Sequence, residues 1–241
     1  MRRTVTTWME AWIATWMVAC LAVGTAARVA ATATHPASSP TVLAVRLGDA
    51  FQAAVSLAPQ RCDRVVVIGD SLMDNARPWL VTGLRDAGYT FHIDAQPSRE
   101  IGNRRHAPYS GVLAARQVRA TWGDADCWVI ALGSNDLLSQ GGEPAVAAAL
   151  IDELLAELTP GARVWWMNVA YHRDPRYDVD FPRRTAGFNA AAAAAAAEGR
   201  VTLIDWYGLA EANPRWFFDP VHVDRTGSIA RAALTVAALD S

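Results

Sequence analysis

The sequence contains no lysine, so all 22 of its basic residues are arginine. Without a lysine amine the chain cannot form a Schiff base, build a serine–lysine dyad or bind phosphate through a lysine-containing loop. Its formal net charge of −2 provides no electrostatic attraction for nucleic acid. These absences exclude several classes of enzyme, and they give no reason to expect a nucleic-acid partner.

Residues that bind metal ions are few and scattered. The five histidines are distant from one another in sequence, and the three cysteines lack the short spacings of a zinc site. We therefore predict neither a metal site nor a cofactor.

The amino terminus has the pattern of a targeting segment. Arg2 and Arg3 precede an uncharged, mostly apolar stretch over residues 11–27, and small residues follow at 31–33. The apolar stretch is long for a signal peptide and short for a membrane span, so both readings of residues 1–33 remain open. We predict a linker over 34–44 and a folded domain over 45–241. We expect this domain to be secreted or anchored on the outer side of the cytoplasmic membrane, in contact with the membrane only through the amino-terminal segment.

Two cysteines remain within the predicted domain, Cys62 and Cys127. Each stands at the start of a predicted strand whose far end carries a candidate site motif. If the two strands are parallel neighbours, about 4.8 Å apart, their first residues come within disulfide range. We predict a disulfide, and a pair of buried free thiols is the alternative.

Beyond the linker, apolar β runs alternate with helical stretches, a pattern typical of a parallel sheet covered on both faces. The predicted strands are 64–68, 89–94, 127–132, 163–168 and 201–205. The predicted helices lie near 72–87, 110–122, 144–158, 184–198 and 222–238.

A Gly-Asp-Ser-Leu sequence at 69–72 directly follows the first apolar run. This position is a strand-to-helix turn, where the side chain of Ser71 can face a cleft and its N–H can face an oxyanion. The carboxyl ends of parallel strands are also where open α/β sheets bind ligands. Ser71 is therefore a candidate nucleophile, although a helix N-cap is the common role of serine in such a turn.

A serine nucleophile needs a base, and His222 is the one histidine with an aspartate three residues earlier. In the Asp-Pro-Val-His sequence at 219–222 the proline restricts one φ angle, and a tight turn can bring the Asp219 carboxylate to Nδ1 of the imidazole. The opposite nitrogen, Nε2, can then face Ser71. The alternative role of Asp219 is an N-cap of the last helix.

A Gly-Ser-Asn-Asp sequence at 133–136 follows the third apolar run. The Asn135 amide can donate to an oxyanion from the end of a neighbouring strand. Asp136 can cap the loop or orient Asn135, and an ordinary Asx turn is the alternative for the whole motif.

These motifs, in this order, resemble those of the SGNH hydrolase superfamily, also called GDSL esterases and lipases, over residues 64–238. The resemblance implies a three-layer α/β/α sandwich with a five-stranded parallel sheet of flavodoxin-like order. It also implies a triad of Ser71, Asp219 and His222, with the N–H of Ser71 and the amide of Asn135 as oxyanion donors. In the family a further backbone donor follows the second strand, often from glycine. This chain has Ser98 at that place, and Gly102 is the competing donor.

The segment from 201 to 222 is also similar to the SGNH domains of bacterial cell-envelope acyltransferases. This likeness implies an envelope sugar, peptidoglycan or another small ester as substrate, with a short acyl group. Aromatic residues near the triad are candidates for the substrate pocket and, equally, for the core: Trp206, Trp216, Phe217 and Phe218. Basic residues after the second strand are candidates for an anion site or for a solvated loop: Arg99, Arg104, Arg105 and His106.

The sequence therefore predicts a serine esterase that hydrolyses carboxylic esters, with short-chain acyl or acetyl groups, through an acyl-enzyme. Its partner is a small-molecule or glycan ester. Two alternatives remain: an envelope glycan O-acyltransferase with the same triad, and a non-catalytic SGNH-like module that binds glycans.

Overall fold

The computed structural model describes residues 61–102, 107–174, 176 and 179–241. Its centre is a five-stranded sheet in the order β2-β1-β3-β4-β5, and every pairing is parallel. The strands are β1 Arg64–Gly69, β2 Thr90–Ala95, β3 Cys127–Ala131, β4 Arg163–Met167 and β5 Thr202–Ile204. The predicted flavodoxin-like order is confirmed.

Seven α-helices in the described part of the chain connect or follow the strands. They are α1 Ser71–Asp86, α2 Gly111–Trp122, α3 Ser134–Gln140, α4 Pro144–Leu155, α5 Phe181–Ala197, α6 Trp206–Glu211 and α7 Arg225–Leu239. Short 3₁₀ turns occupy Ala107–Tyr109 and Pro214–Trp216.

Two hydrophobic clusters, one on each face of the sheet, make the fold three-layered. On one face Val66, Ile68 and Trp128 pack with side chains of α2, α4 and α5. On the other face Val65 and Val67 pack with side chains of α1, α6 and α7. The predicted α/β/α sandwich is therefore confirmed, and the residues of β1 from Val65 to Ile68 are completely buried, as expected of a parallel strand covered on both faces.

The central pairing sets the edge at which the site forms. Val65 pairs with Cys127 and Gly69 pairs with Ala131, so β1 and β3 end side by side. The loops that follow them carry the motifs at 69–72 and 133–136, and parallel strands present such loops at one edge of the sheet.

The opposite edge of the sheet holds the predicted disulfide. Cys62 and Cys127 are joined, with their Cα atoms 5.8 Å apart. The bond links Cys62, two residues before β1, to the first residue of β3, and it closes a loop with a sequence separation of 65.

Two helices begin at residues other than those predicted, because capping residues set where they start. Helix α5 begins at Phe181, three residues before the predicted start, because Asp180 caps it by accepting the N–H of Arg183. Helix α7 begins at Arg225 instead of His222, because Asp224 caps it by accepting the N–H of Gly227. The two short helices α3 and α6 are absent from the prediction.

The predicted targeting segment, 1–33, and the linker, 34–44, lie outside the described residues. Within the described ranges, none of the helices has the length and apolar character needed to cross a membrane. Those same ranges contain no cluster of three or more histidine, cysteine or acidic side chains suited to a metal ion.

Candidate active site

Ser71 is the first residue of α1, directly after β1. Asp70 caps the helix, and its Oδ1 accepts the N–H of Leu72 at 3.0 Å. The N–H of Ser71 belongs to the first turn, whose donors have no partner within the helix, and the helix amino terminus favours negative charge. Ser71 Oγ lies 3.0 Å from His222 Nε2, across a sequence separation of 151.

His222 lies on the loop between the 3₁₀ turn at 214–216 and α7. Its Nδ1 is 2.8 Å from Asp219 Oδ2. Asp219 Oδ1 accepts the backbone N–H groups of Val221 at 2.8 Å and of His222 at 2.7 Å. With Nδ1 donating to Asp219, the free electron pair of Nε2 faces the Ser71 hydroxyl, which is the tautomer that a general base needs.

The turn that holds Asp219 also keeps it ionised. Burial alone would raise the pKa of Asp219, but the N–H groups of His222 and Val221 and the nearby imidazole hold this pKa below its ordinary value. Asp219 does not cap the last helix, since Asp224 has that role. Both side chains of the pair are about one-third exposed, at 34% for His222 and 32% for Asp219.

Two buried ionisable side chains lie near the serine, one on its own turn and one on α7. Asp70 on the nucleophile turn is completely buried, and Arg231 of α7 is 2% exposed. Burial raises the pKa of Asp70, while Arg231 opposes that rise, and burial lowers the pKa of Arg231 to about 10. The guanidinium carbon of Arg231 lies 4.9 Å from the ring centre of Trp206. A buried guanidinium held against an indole ring therefore opposes the rise in the pKa of Asp70, the residue before Ser71.

Asn135 is the second residue of α3, after a sharp turn at Gly133. The φ angle of Gly133 is 125°, which only glycine adopts readily, and a Cβ there would come within 2.4 Å of the Phe188 ring. Asn135 Nδ2 donates to the carbonyl of Arg99 at 3.0 Å. This bond uses one amide hydrogen and joins the segments that follow β2 and β3, and the second hydrogen remains available to a ligand.

Asp136, the residue after Asn135, also contacts the loop after β2, and it is buried. Its two carboxylate oxygens each lie 3.1 Å from the backbone nitrogen of Ile101, which donates to them. Burial raises the pKa of Asp136 to about 7, against the opposing effect of the Ile101 N–H. Of the two roles expected for Asp136, this contact fits loop support, since its partner is the loop after β2.

The two candidates for the backbone oxyanion donor after β2, Ser98 and Gly102, have different surroundings. Ser98 is exposed in the turn after β2 with φ 61°, and it is the one non-glycine residue with a positive φ in the described ranges. Gly102 lies further along, and a Cβ built on it would meet Leu150 at 2.7 Å and Glu153 at 3.5 Å on α4. The serine therefore keeps the left-handed backbone usual for glycine, at a cost of about 1–2 kcal/mol.

Arg99 does not lie on a solvated loop, so that role expected for it was wrong. It is only 3% exposed. Its guanidinium donates to Asp94 Oδ1 at 2.8 Å, to the Asp94 carbonyl at 2.6 Å and to the Pro108 carbonyl at 3.0 Å. Arg99 therefore holds the loop after β2 from within. Arg104, Arg105 and His106 lie outside the described residues.

The aromatic candidates divide between core and surface. Trp206 is completely buried and lies parallel to Trp216, with ring centres 6.3 Å apart. Phe218 is 64% exposed and stacks on His222 with ring centres 5.9 Å apart. Phe218 is thus the aromatic side chain that a substrate at the histidine can touch, while Trp206 belongs to the core.

Two supporting residues escaped sequence reasoning. Tyr171, in the loop after β4, donates its hydroxyl to the carbonyl of Ser134, next to Asn135. Burial raises the pKa of Tyr171 well above its ordinary value, so the hydroxyl remains a donor. Arg231 lies in the apolar stretch of the last helix, and an arginine among alanines was the one available sign of a buried charge.

Comparisons with known proteins agree with this geometry. The family model of GDSL-like lipases and acylhydrolases matches residues 67–228, which is more than half of the chain. No curated protein sequence matches the chain.

Solved structures share the fold at low sequence identity. The catalytic domain of peptidoglycan O-acetyltransferase A from Streptococcus pneumoniae is 21% identical, with TM-score 0.55, over 75% of this chain and 94% of that one. A lipase/acylhydrolase from Enterococcus faecalis is 16% identical, with TM-score 0.58, over 73% and 94%. An acetyl xylan esterase from Geobacillus stearothermophilus is 14% identical, with TM-score 0.55, over the same shares. With the family match over the site, the chain belongs to the GDSL-like lipase/acylhydrolase family and is an SGNH-type hydrolase that acts on ester bonds.

Proposed function

We propose that this hydrolase cleaves short-chain carboxylic esters, of the acetyl type and carried on a glycan, through an acyl-enzyme on Ser71. The observation that carries the proposal is the continuous chain of contacts from Ser71 Oγ to His222 Nε2 at 3.0 Å and from His222 Nδ1 to Asp219 Oδ2 at 2.8 Å.

In the first half of the reaction Ser71 Oγ attacks the ester carbonyl while His222 Nε2 takes the serine proton. Asp219 stabilises the imidazolium that forms and holds its ring in place. The carbonyl oxygen becomes an oxyanion, and the tetrahedral intermediate collapses when His222 returns the proton to the leaving alkoxide. The products of this half are the free alcohol and an acyl ester on Ser71.

In the second half, water replaces the alcohol. His222 removes a proton from the water as it attacks the acyl carbonyl, and then returns a proton to Ser71 Oγ as the C–O bond breaks. A free carboxylic acid leaves, and the serine is restored.

Three groups are proposed to hold the oxyanion: the N–H of Ser71, the N–H of Ser98 and Nδ2 of Asn135. The left-handed backbone of Ser98 supports its place in the set, because this is the conformation that the family's glycine would supply. Against Gly102 stands its packing on Leu150 and Glu153 of α4. Each oxyanion donor contributes about 3–4 kcal/mol to such reactions.

The acyl and alcohol groups are proposed from different observations. Two structural neighbours are named for acetyl groups on glycans, the peptidoglycan O-acetyltransferase and the acetyl xylan esterase. The exposed ring of Phe218 beside His222 supports a small substrate with an apolar face.

An extracytoplasmic location fits the protein. The Cys62–Cys127 disulfide is compatible with an oxidising compartment, where such bonds persist. We extend this to secretion or anchoring in the bacterial cell envelope, with residues 1–33 as the targeting segment.

Labelling with a fluorophosphonate probe tests the nucleophile directly. We expect the full chain in detergent to gain one adduct by intact mass, and Ser71→Ala to gain none while keeping its circular-dichroism spectrum. Labelling of Ser71→Ala would place the reactive group elsewhere. A folded wild-type protein that takes no label would overturn the enzyme mechanism and favour a glycan-binding module.

Transfer of the acyl group to a sugar hydroxyl is the second candidate, favoured by the likeness to the peptidoglycan O-acetyltransferase. Incubation with p-nitrophenyl acetate and chitotriose separates the two. We expect free acetate in the same amount with and without the sugar. Acetylated chitotriose formed at the expense of acetate would instead assign the transferase.

A further inference from the structure

A cavity of about 260 Å³ lies at the carboxyl end of β4 and β5, outside the proposed catalytic groups. Its lining comes from the loop after β4, the first turns of α5, helix α6 and the chain at 214–217. The volume is below the roughly 300–1,000 Å³ of pockets that take drug-sized ligands, so it is suited to a single ring.

Aromatic rings form much of the lining. Tyr171 stacks on Phe181 with ring centres 4.6 Å apart, and His172 stacks on Phe217 with ring centres 5.6 Å apart. All four of these residues line the cavity, as does Tyr207. Fixed aromatic faces of this kind favour a flat ligand with C–H groups on one side.

The lining also contains a buried hydroxyl without a partner. Thr185 of α5 is only 3% exposed, and its Oγ1 has no hydrogen-bond partner in the part of the chain that the structure describes. A buried hydroxyl left unpaired costs about 1–3 kcal/mol, and a ligand hydroxyl that reached Oγ1 would remove that cost. Glu211, which accepts the Tyr207 hydroxyl at 3.1 Å, adds a carboxylate to the exposed part of the lining.

This lining does not suit an acyl chain. A wholly apolar occupant would leave the Thr185 hydroxyl unpaired and would remove water from the Glu211 carboxylate without replacing its hydrogen bonds. A sugar ring offers C–H faces to the aromatic rings and hydroxyls to both polar groups.

The cavity is connected to both halves of the active site through its own lining. The N–H of His172 donates to the carbonyl of Pro220 at 2.9 Å, within the turn between Asp219 and His222. The hydroxyl of Tyr171 donates to the carbonyl of Ser134, next to Asn135. A ligand in the cavity therefore lies against residues that hold the catalytic turn on one side and the asparagine loop on the other.

We propose that this cavity binds one pyranose ring of the glycan whose ester reaches Ser71, a specificity subsite that rests on the proposed glycan-ester function. Thr185 and Glu211 hydrogen-bond the hydroxyls of the ring, and the aromatic side chains contact its C–H face.

Binding of unesterified trisaccharides tests the subsite without any turnover. The full chain in detergent is titrated with chitotriose and, separately, with xylotriose, and Kd is measured by saturation-transfer NMR. Wild type, Thr185→Val and Glu211→Gln are compared, with Thr82→Val on α1 as the matched control, since the Thr82 hydroxyl bonds Pro78 on an exposed helix face.

We expect one of the two sugars to bind wild type and Thr82→Val equally, and to bind Thr185→Val and Glu211→Gln about five- to tenfold more weakly. Thr185→Val should keep or raise the thermal midpoint, because it removes an unpaired buried hydroxyl. Equal Kd values in all four proteins would overturn the subsite.

The remaining outcomes separate the two proposals. Absence of binding of either sugar at roughly 10 mM, in a protein that still takes the fluorophosphonate label on Ser71, would overturn the subsite and leave the esterase standing. Binding that is weakened in Thr185→Val, in a protein that takes no label, would support the subsite and overturn the esterase mechanism.

Discussion

The two sides of this candidate active site, the side of Ser71 and Asn135 and the side of Asp219 and His222, which the proposed mechanism makes the nucleophile side and the base side, are built in different ways. Around Ser71 and Asn135, three ionisable side chains with at most 3% exposure support the loops from within: Asp70, Arg99 and Asp136. On the side of Asp219 and His222, no buried ionisable side chain of the described residues forms a hydrogen bond to the turn. Asp219 and His222 are one-third exposed and are held by a turn of four residues with its own hydrogen bonds.

Because of this difference, we expect substitutions on the two sides to differ in their effects on the reaction and on the stability of the fold. Buried polar groups and their hydrogen bonds are expensive to disturb, so the side of Ser71 and Asn135 is held in place before a substrate arrives. The half-buried turn at 219–222 contains no fully buried charge, so its side chains cost less to alter. Substitutions on the base side should therefore affect the reaction alone, while those on the nucleophile side should also affect folding.

Replacing Asp219 by asparagine gives the largest expected effect. The amide removes the charge that stabilises the imidazolium and favours the wrong tautomer, so kcat for p-nitrophenyl acetate should fall by about 10⁴-fold. The thermal midpoint should stay close to that of wild type, because the amide oxygen of asparagine can still accept the N–H groups of Val221 and His222. Asp224→Asn is the matched control, since this residue caps α7 and asparagine caps as well as aspartate. A loss below about tenfold in Asp219→Asn would contradict the triad.

Asp136→Asn should change the dependence of stability on pH. With its pKa raised to about 7 from an ordinary 3.8, Asp136 keeps its proton in the folded protein where the unfolded chain has lost it. The folded state binds the extra proton between these pH values, so the free energy of unfolding falls as pH rises from about 4 to about 7.

The size of this change is on the order of 4 kcal/mol, from three pKa units at about 1.4 kcal/mol each. Asparagine does not titrate, so urea unfolding of Asp136→Asn at several pH values should lack this part of the slope. The exposed Asp86→Asn should keep it. A slope unchanged in Asp136→Asn would mean that the carboxyl is ionised in the folded protein throughout.

Asn135→Ala should lower kcat by about 100-fold, close to 3 kcal/mol, through loss of a side-chain donor to the oxyanion. KM should change little, because the bond strengthens only in the transition state. Asn213→Ala removes a comparable amide that donates to the Leu209 carbonyl, and it should leave kcat unchanged. An effect confined to KM would assign Asn135 to substrate binding alone.

Phe218→Ala should give the smallest effect. The ring is exposed and stacks on His222, so its loss should raise KM for p-nitrophenyl acetate about threefold, in keeping with an aromatic contact of about 0.5–1 kcal/mol. The thermal midpoint should not change. If kcat falls instead by a factor approaching that of Asp219→Asn, the ring positions the imidazole, and the base side depends on more than its own turn.

The sheet could be predicted because its signal is local. Runs such as Val65 to Ile68 are continuously apolar, and a strand buried on both faces requires that. The short helices α3 and α6 could not be found in the same way, since six or seven residues carry too little periodicity. Caps such as Asp180 and Asp224 were visible in the sequence and explain the shifted starts of α5 and α7.

The candidate site could be predicted where its parts are adjacent in sequence. Asp219 and His222 share one turn, and Ser71 follows a strand directly, so their types and positions were enough to select them. The supports behind them depend on distant contacts. Asp136 meets Ile101 across 35 residues, and Arg231 faces Asp70 from the last helix. Arg99 was misjudged for the same reason, because a loop sequence does not reveal that its arginine points inward.

The Cys62–Cys127 bond also has a mechanical consequence. A pull on the chain ahead of Cys62 would otherwise act on β1 alone and draw it out of the sheet along its length. The disulfide divides that load between β1 and the adjoining central strand β3, at the edge of the sheet opposite Ser71. Tension applied at that end is therefore carried by the two most deeply placed strands before it reaches the contact between the serine and the histidine.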